Sequence, residues 1–273
     1  MTDPVTEHGA HFAGALPVLA VLGCAIGYLR LARLARRRNP ARGWSRWRTA
    51  GFVAGLVLLG VALVPPVASL AHADFRGHML QHLLVGMYAP LALVLGAPVT
   101  LMLRTLPAGG GRWLTAVLRS RPVRVVTHPV VALLLSTGGL VVLYFTPLYN
   151  AASASAAGRW LLHGHFLLSG CLFAYVIAGP DPAPDRPGVR TRLVYLGCAV
   201  AVHAVVAQLM YGGFRVDVHA PIPEVRGGAE IMYYGGDIAE LLLAAALVAA
   251  WRPAPRTGAG RGTVVRRYER RSW

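Results

Sequence analysis

HMLQHLLVGMYAPLALVLGAPVTLMLR, residues 78–104, is the stretch whose reading decides the fold. It opens with two histidines, a methionine and a glutamine, then runs apolar to Arg104, a length that suits a helix crossing a bilayer. On such a helix His78 and His82 stand four residues apart on one face, with Met79 beside them. Polar side chains at the head of a span are costly in lipid, so they face the bundle interior or a water-filled cavity. A lone interfacial histidine often only caps a helix or hydrogen-bonds locally. A His–His pair with Met79 and Gln81 is the better sign of a site. Pro90 and Pro98 fit inside the span if neighbours satisfy the freed carbonyls.

The whole chain has the same character. Of 273 residues, 55% are hydrophobic and 14% charged, whereas a soluble domain is about a quarter charged. The fold class expected is all-α: a polytopic membrane protein with no separate soluble domain. All 27 basic residues are Arg, and the net charge is +16. That charge also suits nucleic acid, but the Arg residues cluster in alternate loops, as membrane topology demands. The partner expected is therefore the lipid membrane and not nucleic acid. Cys24, Cys171 and Cys198 all lie in apolar segments and form no CxxC, which points to core packing rather than disulfides or thiolate metal binding.

Seven apolar runs read as spans: 12–31, 49–70, 78–104, 129–145, 160–178, 193–211 and 231–251. The N-terminus lacks the positive region of a cleaved leader, so the first span is expected to enter the membrane uncleaved. Pro65 and Pro66 should break or kink the second span near its end. Trp44 and Trp47 read as interfacial anchors, and RWLTAVLRSR as a short amphipathic surface helix. Of the 27 Arg residues, 23 fall in the first, third and fifth loops and the tail, leaving Arg76, Arg159, Arg215 and Arg226 on the other side. This predicts an N-out, C-in bundle of seven helices over residues 1–252 and a basic cytoplasmic tail at 253–273.

The intramembrane polar groups then collect on one side. At about 1.5 Å of rise per residue, His78, His82, His165, His203 and Asp237 all lie in the outer half of their spans. His72, Asp74 and His219 sit in the loops above, and of ten histidines only His128 falls on the cytoplasmic side. Imidazole suits copper and zinc, and thioether suits Cu(I). The candidate metal ligands are His78, Met79, His82, His165, His203 and Asp237. His72, Asp74, His163 and Glu240 are candidates to orient them from a second shell. His163 and His165 point to different faces of one helix, so at most one is expected to join, His165 being the deeper. Met210 and Met232 lie at outer span ends, where ordinary packing is the favoured reading of each.

Several segments also resemble a known family. HMLQHLLVGMYAPLALVLGAP (78–98) is similar to the opening signature of the CtaG family of membrane-bound cytochrome c oxidase assembly factors. LYFTPLYNAA (143–152), HFLLSGCLFAYVIAGPDP (165–182) and GGDIAELLLA (235–244) add weaker matches, and the similarity runs from about residue 70 to 250. His78, Met79, His82, His165 and Asp237 fall on the matching positions. The resemblance implies a seven-span protein of the bacterial plasma membrane that supports a haem–copper oxidase and is associated with copper supply. Copper is then the cofactor or cargo, and an oxidase subunit or a copper chaperone the partner. No cysteine copper-relay motif is present, so copper would rest on His, Met and Asp.

Two other readings use the same residues. A copper or proton transporter needs polar groups continuing to the cytoplasmic side, where the spans offer few beyond Ser136 and Thr137. A haem-binding electron carrier would take His82 and His203 as axial ligands. No nucleophile–base constellation suggests an enzyme.

Overall fold

Apolar runs of this length can satisfy their backbone in lipid only as helices, and the computed structural model is all-helical over the described residues, 4–41, 43–183 and 186–251, with side chains described from residue 16 onward. The helices are α1 (Pro4–Arg38), α2 (Arg46–Leu63), α3 (Val67–Ala73), α4 (Phe75–Leu83, a π-helical turn Leu84–Tyr88, then Ala89–Leu95) and α5 (Pro98–Thr105). They continue with α6 (Ala108–Leu118), α7 (Arg121–Val126), α8 (Pro129–Leu133, a π-helical turn Leu134–Gly138, then Gly139–Tyr144) and α9 (Leu148–Ser153). The last three are α10 (Ala156–Ala178), α11 (Val189–Gly212) and α12 (Ile222–Ala249).

Among the described residues six helical segments are long and apolar enough to cross a membrane: Leu16–Arg38, Arg46–Leu63, Phe75–Thr105, Ala156–Ala178, Val189–Gly212 and Ile222–Ala249. The protein is thus a multi-pass membrane protein. The segment expected as a fourth span is a shorter apolar helix, Pro129–Tyr144. Large side chains such as Leu161, Leu168 and Leu241 face outward, as lipid-covered helices require. Cys24 and Cys198 also face outward and Cys171 is half-buried, so the expected core role fails for the first two. The tail 253–273 lies outside the described residues.

α4 is the hub, packed against α2, α3, α10 and α12. Its entry is fixed by two carboxylates that accept its first orphan amides. Asp74 accepts from Arg76 N at 2.8 Å, and Glu224, from the first turn of α12, accepts from Phe75 N at 3.0 Å. The Arg76 side chain also donates to Asp74, which holds that carboxyl below the usual carboxylate range. Further in, α10 crosses α4 at van der Waals distance. A Cβ on Gly170 would lie 2.0 Å from the Gly86 carbonyl oxygen, so only glycine fits.

At its other end α4 stops at Ala97, whose φ of 51° is left-handed, and Pro98 begins α5. Asp181, 2% exposed in the loop after α10, caps α5 by accepting from Val99 N and from Thr100 N and Oγ1. Tyr28 of α1 donates to the Gly96 carbonyl at 2.7 Å. Trp44 is buried against this join, its Nε1 donating to Tyr28 and its ring lying under Arg48 and Arg104. Trp47 is exposed, so only one of the two expected anchors faces outward. Two boundaries also differ from the sequence reading: α2 ends at Leu63, before Pro65–Pro66, and α12 begins at Ile222.

Candidate functional site

α4 presents His78, Gln81 and His82 to the bundle, all of them buried. His78 belongs to an upper layer. Its Nε2 is 3.1 Å from the Tyr144 hydroxyl, and Phe75, Tyr149 and Phe166 surround its ring. Tyr149, on α9, is pushed up to about 12 by burial, with the Glu224 charge adding to it. Gln81 Nε2 donates to the Ala62 carbonyl at 2.7 Å, which turns Oε1 toward His163 Nε2 at 2.9 Å. An amide oxygen only accepts, so His163 donates that proton and its Nδ1 is the bare nitrogen. Nδ1 has no partner.

One turn deeper the arrangement changes. His82 (α4), His203 (α11) and Glu240 (α12) line a cavity of about 70 Å³, together with Met87, Ser136, Thr137, Phe166 and Ser169. His203 Nδ1 lies 3.6 Å from Glu240 Oε1, and both residues are buried. Neither nitrogen of His82 has a hydrogen-bond partner, and nor do His203 Nε2 and Glu240 Oε2. These make four of the seven buried side-chain polar atoms found unpartnered among the described residues. Buried polar groups are normally satisfied, and a cluster of exceptions calls for water, an ion or a ligand.

The local backbone serves the same cavity. Both π-helical turns border it, Gly86 and Met87 from one and Ser136 and Thr137 from the other. Single π-turns inside α-helices are rare and frequent at functional sites. Gly236 makes room for His203: a Cβ there would lie 1.9 Å from the ring's Cε1. Ser136, Thr137 and Ser169 each donate to a carbonyl of their own helix, which leaves their oxygens as acceptors. A pocket for a drug-sized molecule holds about 300 Å³ or more, so this cavity suits an ion or a few waters and not a porphyrin.

The six candidate ligands separate as follows. His82 and His203 share the cavity, and Glu240 joins them. His78 is held by Tyr144. Met79 is fully buried in the apolar cluster with Phe75, Tyr144, Met210 and Met232. His165 sits against Gly139 of α8, facing a different groove from His163. Asp237 is half-buried and outside the cavity's lining. His72 is exposed, and Asp74 caps α4. No three His, Cys, Asp or Glu side chains among the described residues are grouped to hold a metal ion. What the geometry offers is two imidazoles with available nitrogens, one carboxylate and a nearby thioether.

Met87 did not stand out in the sequence, because five residues from His82 is the wrong face of an α-helix. The π-turn brings it round.

Residues 26–254 match the model of a family described as cytochrome c oxidase caa3 assembly factor. Uncharacterized proteins of Mycobacterium bovis and Mycobacterium tuberculosis are each 35% identical over 198 residues, covering 70% of this chain and 29% of theirs. One from Mycobacterium leprae is 32% identical over the same shares. The chain therefore spans under a third of the length of these relatives. No solved structure matches.

Proposed function

The chain belongs to the cytochrome c oxidase caa3 assembly factor family, and on that premise we propose that it holds copper, as cargo, in the His82–His203–Glu240 cavity for delivery to the oxidase. The carrying observation is the set of unpartnered buried nitrogens on His82 and His203. Imidazole suits copper, and Met87 adds the soft donor that favours Cu(I). Cu(I) accepts two or three ligands, so it does not need the ligating group of three His, Cys, Asp or Glu side chains that is missing among the described residues. His78, Met79 and His165 then serve as packing and as the route in, and Asp237 as a nearby charge. The role is carriage and not catalysis.

The Arg distribution supports seven spans in a bacterial plasma membrane, N-out and C-in, with Pro129–Tyr144 as the short member. The partner is an oxidase subunit or a copper chaperone on the outer side. Reporter fusions after Arg48 and Arg124 should both read cytoplasmic, and an outside reading from either reverses the orientation.

The functional test is the double change His82→Ala and His203→Ala in cells lacking the native copy. The protein should still reach the membrane, oxidase activity should fall, and added copper should restore part of it. Full oxidase activity in the double variant, with expression checked by blotting, would leave assembly by protein contact as the better account.

A further inference from the structure

Outside the cavity, one more buried imidazole nitrogen has no hydrogen-bond partner among the described residues, Nδ1 of His163. Gln81 Oε1 takes the Nε2 proton, and the Gln81 amide is itself fixed by the Ala62 carbonyl. A swap of tautomer would set a ring lone pair against the amide oxygen, so the bare nitrogen stays Nδ1. Trp160, one turn above, packs edge-on against the ring with centroids 5.6 Å apart. The imidazole is thus held in one tautomer and one orientation while its lone pair is left free. Metal-ligating histidines are prepared in the same way, by a partner on the other ring nitrogen.

The place of His163 in the fold gives that nitrogen a use. α10 packs along α4, and His163, Phe166 and Gly170 recur on one of its faces at helical spacing. Phe166, Ser169 and Gly170 line the His82 cavity, and the Phe166 ring lies 4.3 Å from the His82 ring. About 9 Å of helix separates His163 from Ser169, on the side that the Arg distribution puts outside. His72, in the last turn of α3, is exposed and lies close enough for its charge to act on His163 when protonated. Arg159 also acts on His163, although its guanidinium donates to the Ser153 carbonyl. Neutral donors beside a fixed positive charge hold a cation loosely, which suits a station on a route and not a store.

We propose that His163 Nδ1, with His72 as second donor, is an entry station for Cu(I), which then passes along the α4–α10 seam to His82. The inference rests on the copper reading of the cavity. Imidazole nitrogen is a suitable donor for copper. The transfer exchanges one set of nitrogen ligands for another, with no change of oxidation state.

The test is the rate of loading. Cu(I) is presented to the detergent-solubilised full chain as its bicinchoninate complex under reducing conditions, and the loss of the chelate's colour is followed in time. His163→Gln, which keeps an amide donor for Gln81, and His72→Gln should each slow loading about tenfold and leave the final copper per chain unchanged. His219→Gln, at another exposed outer histidine, should load at the natural rate. His72 is exposed, so its variant carries the test if His163→Gln lowers helical content. An unchanged rate in His72→Gln or in folded His163→Gln, or an equal slowing by His219→Gln, would overturn the entry station and leave the copper cavity standing. A natural chain that takes up no copper would overturn both.

Discussion

His78 and His82 stand one turn apart on the same face of α4, and both are buried, yet their surroundings differ in kind. His78 has the Tyr144 hydroxyl at 3.1 Å and an aromatic cage. His82 has Phe166 edge-on at 4.3 Å and nothing for either nitrogen. The upper layer, with Gln81 joining Ala62 to His163, is a hydrogen-bonded network that fixes α4 against α2, α8 and α10 and leaves one buried atom, His163 Nδ1, without a partner. The lower layer keeps two imidazoles and a carboxylate out of water with bonds unmade. Leaving such groups unsatisfied costs stability, so they call for water, an ion or a ligand to complete them. The two layers share Phe166, which touches both histidines.

This contrast predicts effects of different size for one substitution made at two neighbouring sites. His78→Leu strands the fully buried Tyr144 hydroxyl and should destabilise the protein by about 1–3 kcal/mol. His82→Leu removes two nitrogens that had no partner, so stability should stay within about 1 kcal/mol of the natural chain or rise. Unfolding of the detergent-solubilised variants measures both. A large loss from His82→Leu would mean that His82 has a structural partner after all, and the distinction between the layers would go.

The membrane helices were legible because apolar runs of spanning length have few alternatives. Ends were less so. Gly227 and Gly228 read as loop, yet they lie within α12, where a Cβ would come 2.7 Å from Arg76 and from Phe75. Glycine there permits close packing on α4 instead of a turn. Of the histidines read as lying on one side, His78, His82 and His203 are buried while His72 and His219 are exposed, and the sequence did not give the partners of the buried ones. His163 and His165 do face apart, as their spacing requires, and it is His163 that meets Gln81. Glu240 and not Asp237 lines the cavity, since three residues along α12 turn one inward and leave the other half-buried. Neither π-turn has a sequence signature, and so Met87 and the two hydroxyls opposite it became cavity residues only in three dimensions.

The central claim is that the layer of His82, His203 and Glu240, and not the hydrogen-bonded layer of His78 and Gln81, holds copper. The direct measurement is bound copper in purified protein loaded with Cu(I) under reducing conditions, with X-ray absorption at the copper edge. The account predicts about one copper per chain, nitrogen-dominated scattering, loss of that copper in His82→Ala with His203→Ala, and retention in His78→Leu. Copper retained by the double variant, or lost equally from His78→Leu, would contradict it.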